Sequence, residues 1–164
     1  MQDSPIHRPS RRTVLLAAGL PWLAPLAQAH HGWSSFDQNR PIWLQGRADQ
    51  VAWRNPHAEL DLLLPERLTL PADLASRAVP AQSAPVDGAA LLKAAQLPRR
   101  ADRRWRVELA PISRLQAWKA EPVRDGDEIG VLGFTFAEER GEAILRAEYL
   151  FAGGKVYGLR SSPV

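Results

Sequence analysis

The sequence contains no cysteine and a single methionine among its 164 residues. The lack of thiols excludes disulfides, thiolate metal sites and cysteine catalysis. No apolar run reaches the length of about 20 residues that a membrane-spanning helix needs; the longest, residues 14–27, is interrupted by Pro21 and Pro25. The G-x-S-x-G, P-loop, dinucleotide-binding and H-E-x-x-H motifs are also missing, which leaves conventional hydrolase or nucleotide chemistry without support.

The first 29 residues have the layout of a cleaved export signal. A basic stretch that ends in the pair Arg11 and Arg12 precedes the apolar run, and Ala27 and Ala29 hold the small-residue positions that signal peptidase recognises. The arginine pair resembles a twin-arginine export signal. We therefore expect removal of residues 1–29 and a periplasmic protein that begins at His30, with no transmembrane segment. The alternative, a cytosolic protein with an apolar first helix, leaves these features unexplained.

The remaining residues, 30–164, suffice for one domain with a single core. The leader holds three of the 21 basic and one of the 18 acidic residues, so the remainder carries a net charge of +1. Such a balance gives little attraction for nucleic acid or an anionic membrane surface. We expect the partner to be a metal ion, a small ligand or another periplasmic protein.

Alternating apolar and polar residues predict two strands at the start of this domain. The first covers residues 41–55, with a bulge or strong bend at Gly46. The second covers residues 57–64 and presents apolar side chains to one side. Its other side presents three polar residues: His57, Glu59 and Asp61. An Asn-Pro dipeptide separates the strands, so we expect a hairpin with the sequence RNPH at its tip.

Residues 65–103 contain five prolines and many alanines. A connection of this length is unusual inside a compact domain, so we interpret it as an irregular, partly helical insertion on the surface. Two short helical patches are predicted, at 71–77 and 87–97, with Asp87 as the N-cap of the second. The basic cluster RRADRR that follows, residues 99–104, is expected to form a solvated loop.

Regular structure is predicted again from residue 104. A strand at 104–110 and a short helix at 111–119 precede two further strands, within 126–136 and 141–159, the last containing a Gly-Gly turn. Three strands, a helix and two strands are the element order of a small five-stranded Greek-key barrel of the OB type. A β-sandwich is the alternative.

Several sequence segments resemble a known family. They are the start HHGWSSFD, the strand and tip PIWLQGRADQVAWRNPHAEL, a strand that begins with a tryptophan and precedes SRL, the strand GDEIGVLGF, and the closing GKVYGL. Together they are similar to small exported bacterial proteins of the domain-of-unknown-function family 6152. The resemblance covers most of residues 30–64 and 104–160, and residues 65–103 look like an elaboration. It implies an exported protein with a small barrel, and it implies no activity.

The histidines carry the functional hypothesis. Only His30, His31 and His57 remain after removal of the leader. An N-terminal histidine can chelate one metal ion with its amine and its imidazole, because the pKa of the amine, about 7.7–8, makes its deprotonation inexpensive at neutral pH. One further imidazole gives a planar set of three nitrogens that resembles the histidine brace of copper proteins and suits Cu(II) better than zinc. His57 is the candidate for the third nitrogen, and His31 competes with it.

Other interpretations of these residues remain open. The terminal histidines can instead hydrogen-bond to the barrel, and His57 can satisfy turn carbonyls. Most of the tryptophans are expected to fill the core, with Trp33 as the exception because it follows the histidines closely. Four carboxylates are possible additional ligands: Asp37, Glu59, Asp61 and Glu148.

Three functions are compatible with the sequence. The first is a periplasmic protein, without an enzymatic activity, that captures or delivers a metal ion, copper in preference to others. The second is a non-enzymatic OB-like module that binds a small ligand or a protein partner. The third is a copper-dependent oxidase or monooxygenase, since a histidine brace can activate oxygen.

Overall fold

The structure, a computed structural model, describes residues 32–164. The predicted signal segment, His30 and His31 therefore lie outside the described residues. The described chain contains six strands, two α-helices and three short 3-10 turns: β1 (Ile42–Ala52), β2 (His57–Leu63), β3 (Arg104–Pro111), β4 (Glu128–Phe134), β5 (Ile144–Ala152), β6 (Lys155–Gly158), α1 (Gly88–Ala94), α2 (Ile112–Ala117), and the turns Trp33–Ser35, Leu74–Ser76 and Ala137–Glu139. No helix within this part of the chain is long and apolar enough to cross a membrane.

Five of the strands close into a barrel. The hydrogen-bonded order is β3-β2-β1-β4-β5-β6, all antiparallel, and a parallel pairing of β3 with β5 closes the first five strands on themselves. A short helix, α2, connects β3 to β4. This arrangement confirms the predicted OB-like barrel, and the β-sandwich does not form.

The strand prediction needs two corrections. The segment expected to form the last strand forms two, because Gly153 and Gly154 adopt positive φ angles of 58° and 72° and turn the chain back into β6. The expected bulge at Gly46 lies elsewhere in β1, between Asp49 and Ala52, where Gln50 has a φ of 50°. Gly46 instead permits close strand approach, since a Cβ there would lie 2.2 Å from the carbonyl oxygen of Leu63.

The barrel interior follows the predicted alternation. The inward residues of β2 and β3 are buried and belong to one apolar cluster: Ala58, Leu60, Leu62, Trp105, Val107 and Leu109. The polar residues between them point outward and remain partly exposed. Burial of large apolar side chains contributes roughly 1.5–3 kcal/mol each, so this alternation is what fixes the register of the strands.

Residues 65–103 cover one side of the barrel with a second apolar cluster. Leu74 and Leu92, each 2% exposed, pack with Trp43, Leu132 and Tyr149 on the outer sides of β1, β4 and β5. As predicted, the carboxylate of Asp87 accepts a hydrogen bond from the backbone N–H of Ala90 and caps α1. The outer side of β2 and β3 has no such apolar cover among the described residues.

The basic cluster at 99–104 differs from the solvated loop that we expected. The backbone N–H groups of Arg99 and Arg100 donate to the buried carboxylate of Glu139 at 2.9 and 3.0 Å. Arg40 forms an ion pair with the same carboxylate. The guanidinium of Arg100 also lies 5.5 Å from the centre of the Trp105 ring. The first two residues of the cluster therefore fasten residues 65–103 to the barrel, whereas Arg103 and Arg104 are exposed.

Candidate binding face of strands 2, 3 and 5

The outer side of β2 and β3, together with the start of β5, carries a continuous set of ionisable side chains. We call this surface the charged face and define it by seven residues: His57, Glu59, Asp61, Arg104, Arg106, Glu108 and Arg146. Its position corresponds to the strand 2 and 3 surface that OB barrels commonly use for binding.

Cross-strand register creates an electrostatic problem that the arginines solve. Glu59 on β2 stands directly opposite Glu108 on β3, an arrangement of like charges that destabilises a sheet. Arg106 lies 3.9 Å from the Glu59 carboxylate, and Arg146 on β5 lies 3.3 Å from that of Glu108. Each carboxylate thus has a cation beside it.

The same solution occurs one pair further along the face. Asp61 stands opposite Asp49 of β1, and the Arg104 guanidinium donates to both carboxylates at 2.9 Å. Arg106 donates to the other oxygen of Asp61, also at 2.9 Å. Burial alone raises the pKa of the Asp61 carboxyl, but the hydrogen bonds from Arg106 and Arg104 outweigh it and hold the pKa below its ordinary value.

The start of the described chain lies against the β5 edge of the charged face. The Trp33 ring centre is 4.0 Å from the guanidinium carbon of Arg160 and 5.2 Å from that of Arg146. Arg160 forms a 2.7 Å ion pair with the carboxylate of Glu148, which is fully buried and also accepts a hydrogen bond from Gln82 at 2.9 Å. Stacking on two arginines holds Trp33 at a defined place on the barrel.

His57 occupies the opposite corner of the charged face. It is the first residue of β2, it is half-buried, and its Cα pairs with that of Pro111 at the end of β3. β1 and β2 form the predicted hairpin, and His57 follows its tip as predicted. His30 and His31 precede the described residues, so the structure does not test whether they approach His57.

The carboxylates that the sequence offered as additional ligands are engaged otherwise. Asp61 and Glu59 face arginines, Glu148 is held by Arg160 and Gln82, and Asp37 accepts the backbone N–H of Asn39. Within residues 32–164 no group of three His, Cys, Asp or Glu side chains is arranged to hold a metal ion. The described residues alone therefore provide at most His57 to the site that we predicted.

Comparison with known families gives one match. Residues 20–69 match the model of a family of unknown function, DUF6152. This segment is similar to that family. The DUF6152 match contains the HHG start and the W-x-NPH tip, and thus all three histidines, and it confirms the resemblance for this part of the chain. Because the function of this family is unknown, the match gives no information about activity. No curated protein matches the sequence.

Sequence reasoning missed the arginines that organise this surface. Arg146 and Arg160 were not predicted as site residues, although Arg146 and Glu148 stand within the otherwise apolar run ILRAEYLF. Charged residues inside an apolar strand are almost always paired when buried, so this run was the available signal. Their partners, Glu108 and Gln82, lie 38 and 66 residues away and could not be identified from one sequence.

Proposed function

We propose that the protein captures Cu(II) in the periplasm through His30 after removal of residues 1–29. The amine and imidazole of His30 supply two nitrogens, and His57 supplies the third. Copper is favoured because an all-nitrogen tetragonal site suits Cu(II), which also heads the affinity series of divalent ions. His31 is the competing ligand.

One observation carries the proposal: Trp33 is fixed on the barrel beside Arg146. Arg146 pairs with Glu108, and Glu108 with Glu59, so with about 4.8 Å between strands the Cα atoms of Arg146 and Glu59 are roughly 10 Å apart. His57 is two residues from Glu59, about 7 Å along the strand. Three extended residues, from Trp33 back to His30, span up to roughly 11 Å. The two offsets are at right angles, so the Cα atoms of Arg146 and His57 are roughly 12 Å apart. An extended chain therefore stops slightly short of His57, and the two histidine side chains must span the remainder.

The electrostatics of the charged face also support a nitrogen site. Its carboxylates are already paired with arginines, so they offer little to a hard, oxygen-seeking cation such as calcium or magnesium. The sequence pattern of the three histidines therefore points to imidazole and amine nitrogens as the ligands. The DUF6152 segment contains these histidines together.

The test uses the exported protein, whose intact mass first establishes whether it begins at His30. We expect His57→Ala, and separately a glycine inserted between Ala29 and His30, each to weaken Cu(II) binding at least tenfold in a calorimetric titration. The glycine moves the amine away from the imidazole and replaces it with a neutral amide. His31→Ala is the matched control and should have a smaller effect.

Electron paramagnetic resonance of the Cu(II) form should show a nitrogen-dominated tetragonal spectrum that changes in the His57→Ala protein. An unchanged spectrum and affinity in that variant would place any copper on the terminal peptide alone and refute the shared site. Redox turnover on added copper would favour the oxidase or monooxygenase instead of a capture protein.

A further inference from the structure

A cleft of about 740 Å³ opens beside the end of β2, at the other end of that strand from His57. Four arginines from three parts of the chain line it: Arg47 of β1, Arg67 of the segment after β2, and the pair Arg103 and Arg104, where β3 begins. Its volume is in the range of sites that hold small organic molecules, about 300–1,000 Å³.

The floor of this arginine cleft is apolar. Leu64 is buried, and Leu63 and Leu68 are half-buried. The Gly46 backbone completes the floor, and no larger residue fits there because a Cβ would collide with the carbonyl of Leu63. An occupant therefore meets hydrocarbon below and guanidinium groups at the rim.

The positive charge of the rim is only partly neutralised. Arg104 is held by two carboxylates of the charged face, and Arg103 lies 3.8 Å from the exposed Glu66. The side chains of Arg47 and Arg67 form no hydrogen bond or ion pair within residues 32–164. Glu128 also lines the cleft, opposite Arg47 in the β1–β4 register, but it lies outside ion-pair distance. Two exposed guanidinium groups are thus available for an anion.

We propose that the arginine cleft binds an anionic amphiphile, a molecule with one carboxylate or phosphate head and an apolar body. The guanidinium groups of Arg47 and Arg67 bind the head, since their planar donors match carboxylate and phosphate oxygens. The apolar body lies on Leu63, Leu64 and Leu68. Neither part suffices alone, because exposed ion pairs are weak and salt-screened.

The test measures binding to the whole protein of four probes: octanoate, octyl phosphate, octan-1-ol and inorganic phosphate. We expect at least one of the two amphiphilic anions to bind at least tenfold more tightly than octan-1-ol and than inorganic phosphate. Whichever anion binds more tightly identifies the head group. The double variant Arg47→Gln/Arg67→Gln should weaken that binding at least tenfold, while Arg47→Lys/Arg67→Lys retains part of it.

Arg54→Gln is the matched control, because Arg54 is also an exposed arginine but lies at the hairpin tip, outside the cleft. It should leave the affinity unchanged. The variants alter only exposed side chains, so the fold is kept, which circular dichroism verifies. Equal binding of octan-1-ol, or equal loss in the Arg54→Gln control, would overturn the proposal. So would failure of both anions to bind. None of these outcomes depends on copper.

Discussion

At the residue scale, the buried carboxylate of Glu148 depends most strongly on its partners. Its carboxylate is fully inaccessible and depends on Arg160 for a counter-charge and on Gln82 for a hydrogen bond. An unpaired carboxylate in such surroundings is costly. The guanidinium of Arg160 also stacks on the Trp33 ring. One side chain therefore both balances the buried charge of Glu148 and anchors the start of the described chain.

We predict that Arg160→Met lowers the free energy of unfolding by about 3–5 kcal/mol, the usual cost of removing one partner of a buried ion pair. Urea denaturation measures the loss. Adding Glu148→Gln to the same protein should restore part of it, because the amide removes the stranded charge. If Arg160→Met is as stable as the parent protein, Glu148 does not need its counter-ion and this account of the cluster is wrong.

At the element scale, residues 65–103 belong to the folded core instead of merely connecting two strands. The side chain of Leu92 on α1 is 2% exposed and packs in the cluster that also contains Trp43, Leu132 and Tyr149. Glu139, from the turn before β5, fastens the other end of the segment through the amides of Arg99 and Arg100. The segment is thus held to the barrel both by apolar contact and by hydrogen bonds.

Leu92→Ala should therefore destabilise the whole protein by about 2–5 kcal/mol, the range for a large-to-small change in a packed core. The neighbouring exposed Lys93 provides the control, since Lys93→Ala should change the stability by less than about 0.5 kcal/mol. Urea unfolding followed by tryptophan fluorescence and by circular dichroism should give a single coincident transition in both proteins. A separate early transition in Leu92→Ala would show that the segment folds independently of the barrel.

These elements show what one sequence can and cannot predict. The alternation in β2 and the Asp87 cap are local, so residues 57–64 and 87–97 revealed them directly. The bulge in β1 was misplaced because Gly46 marks close contact with Leu63, a residue that only the folded sheet brings near. For the same reason, the sequence could place His57 at a hairpin tip, but it could not pair the arginines of the charged face with their carboxylates. Those partners lie on strands that are distant in the sequence.

At the scale of the whole molecule, two carboxylates that are well shielded from solvent, Asp61 and Glu139, link its stability to pH. Burial alone raises the pKa of the Glu139 carboxyl, but the Arg99 and Arg100 amides and the Arg40 guanidinium outweigh it, so the pKa is lowered, as it is for Asp61. A lowered folded-state pKa means that the unfolded chain binds protons first as the pH falls. The stabilisation is complete above the unfolded pKa values, about 3.9 for Asp and 4.3 for Glu, and is lost as the pH falls through the lower folded values.

We accordingly predict a free energy of unfolding that changes little on this account between pH 7 and about pH 5 and then falls steeply on further acidification. The double variant Asp61→Asn/Glu139→Gln should be less stable at pH 7, by about 1–3 kcal/mol for each buried partner removed, and should show a smaller acid-dependent drop. Urea denaturation at a series of pH values measures both quantities. Glu66→Gln, at a side chain that is 87% exposed, serves as the control and should reproduce the parent curve. If the double variant keeps the full acid-dependent loss, carboxylates other than Asp61 and Glu139 determine the acid stability, because only a group whose pKa differs between the folded and unfolded states can contribute to that slope.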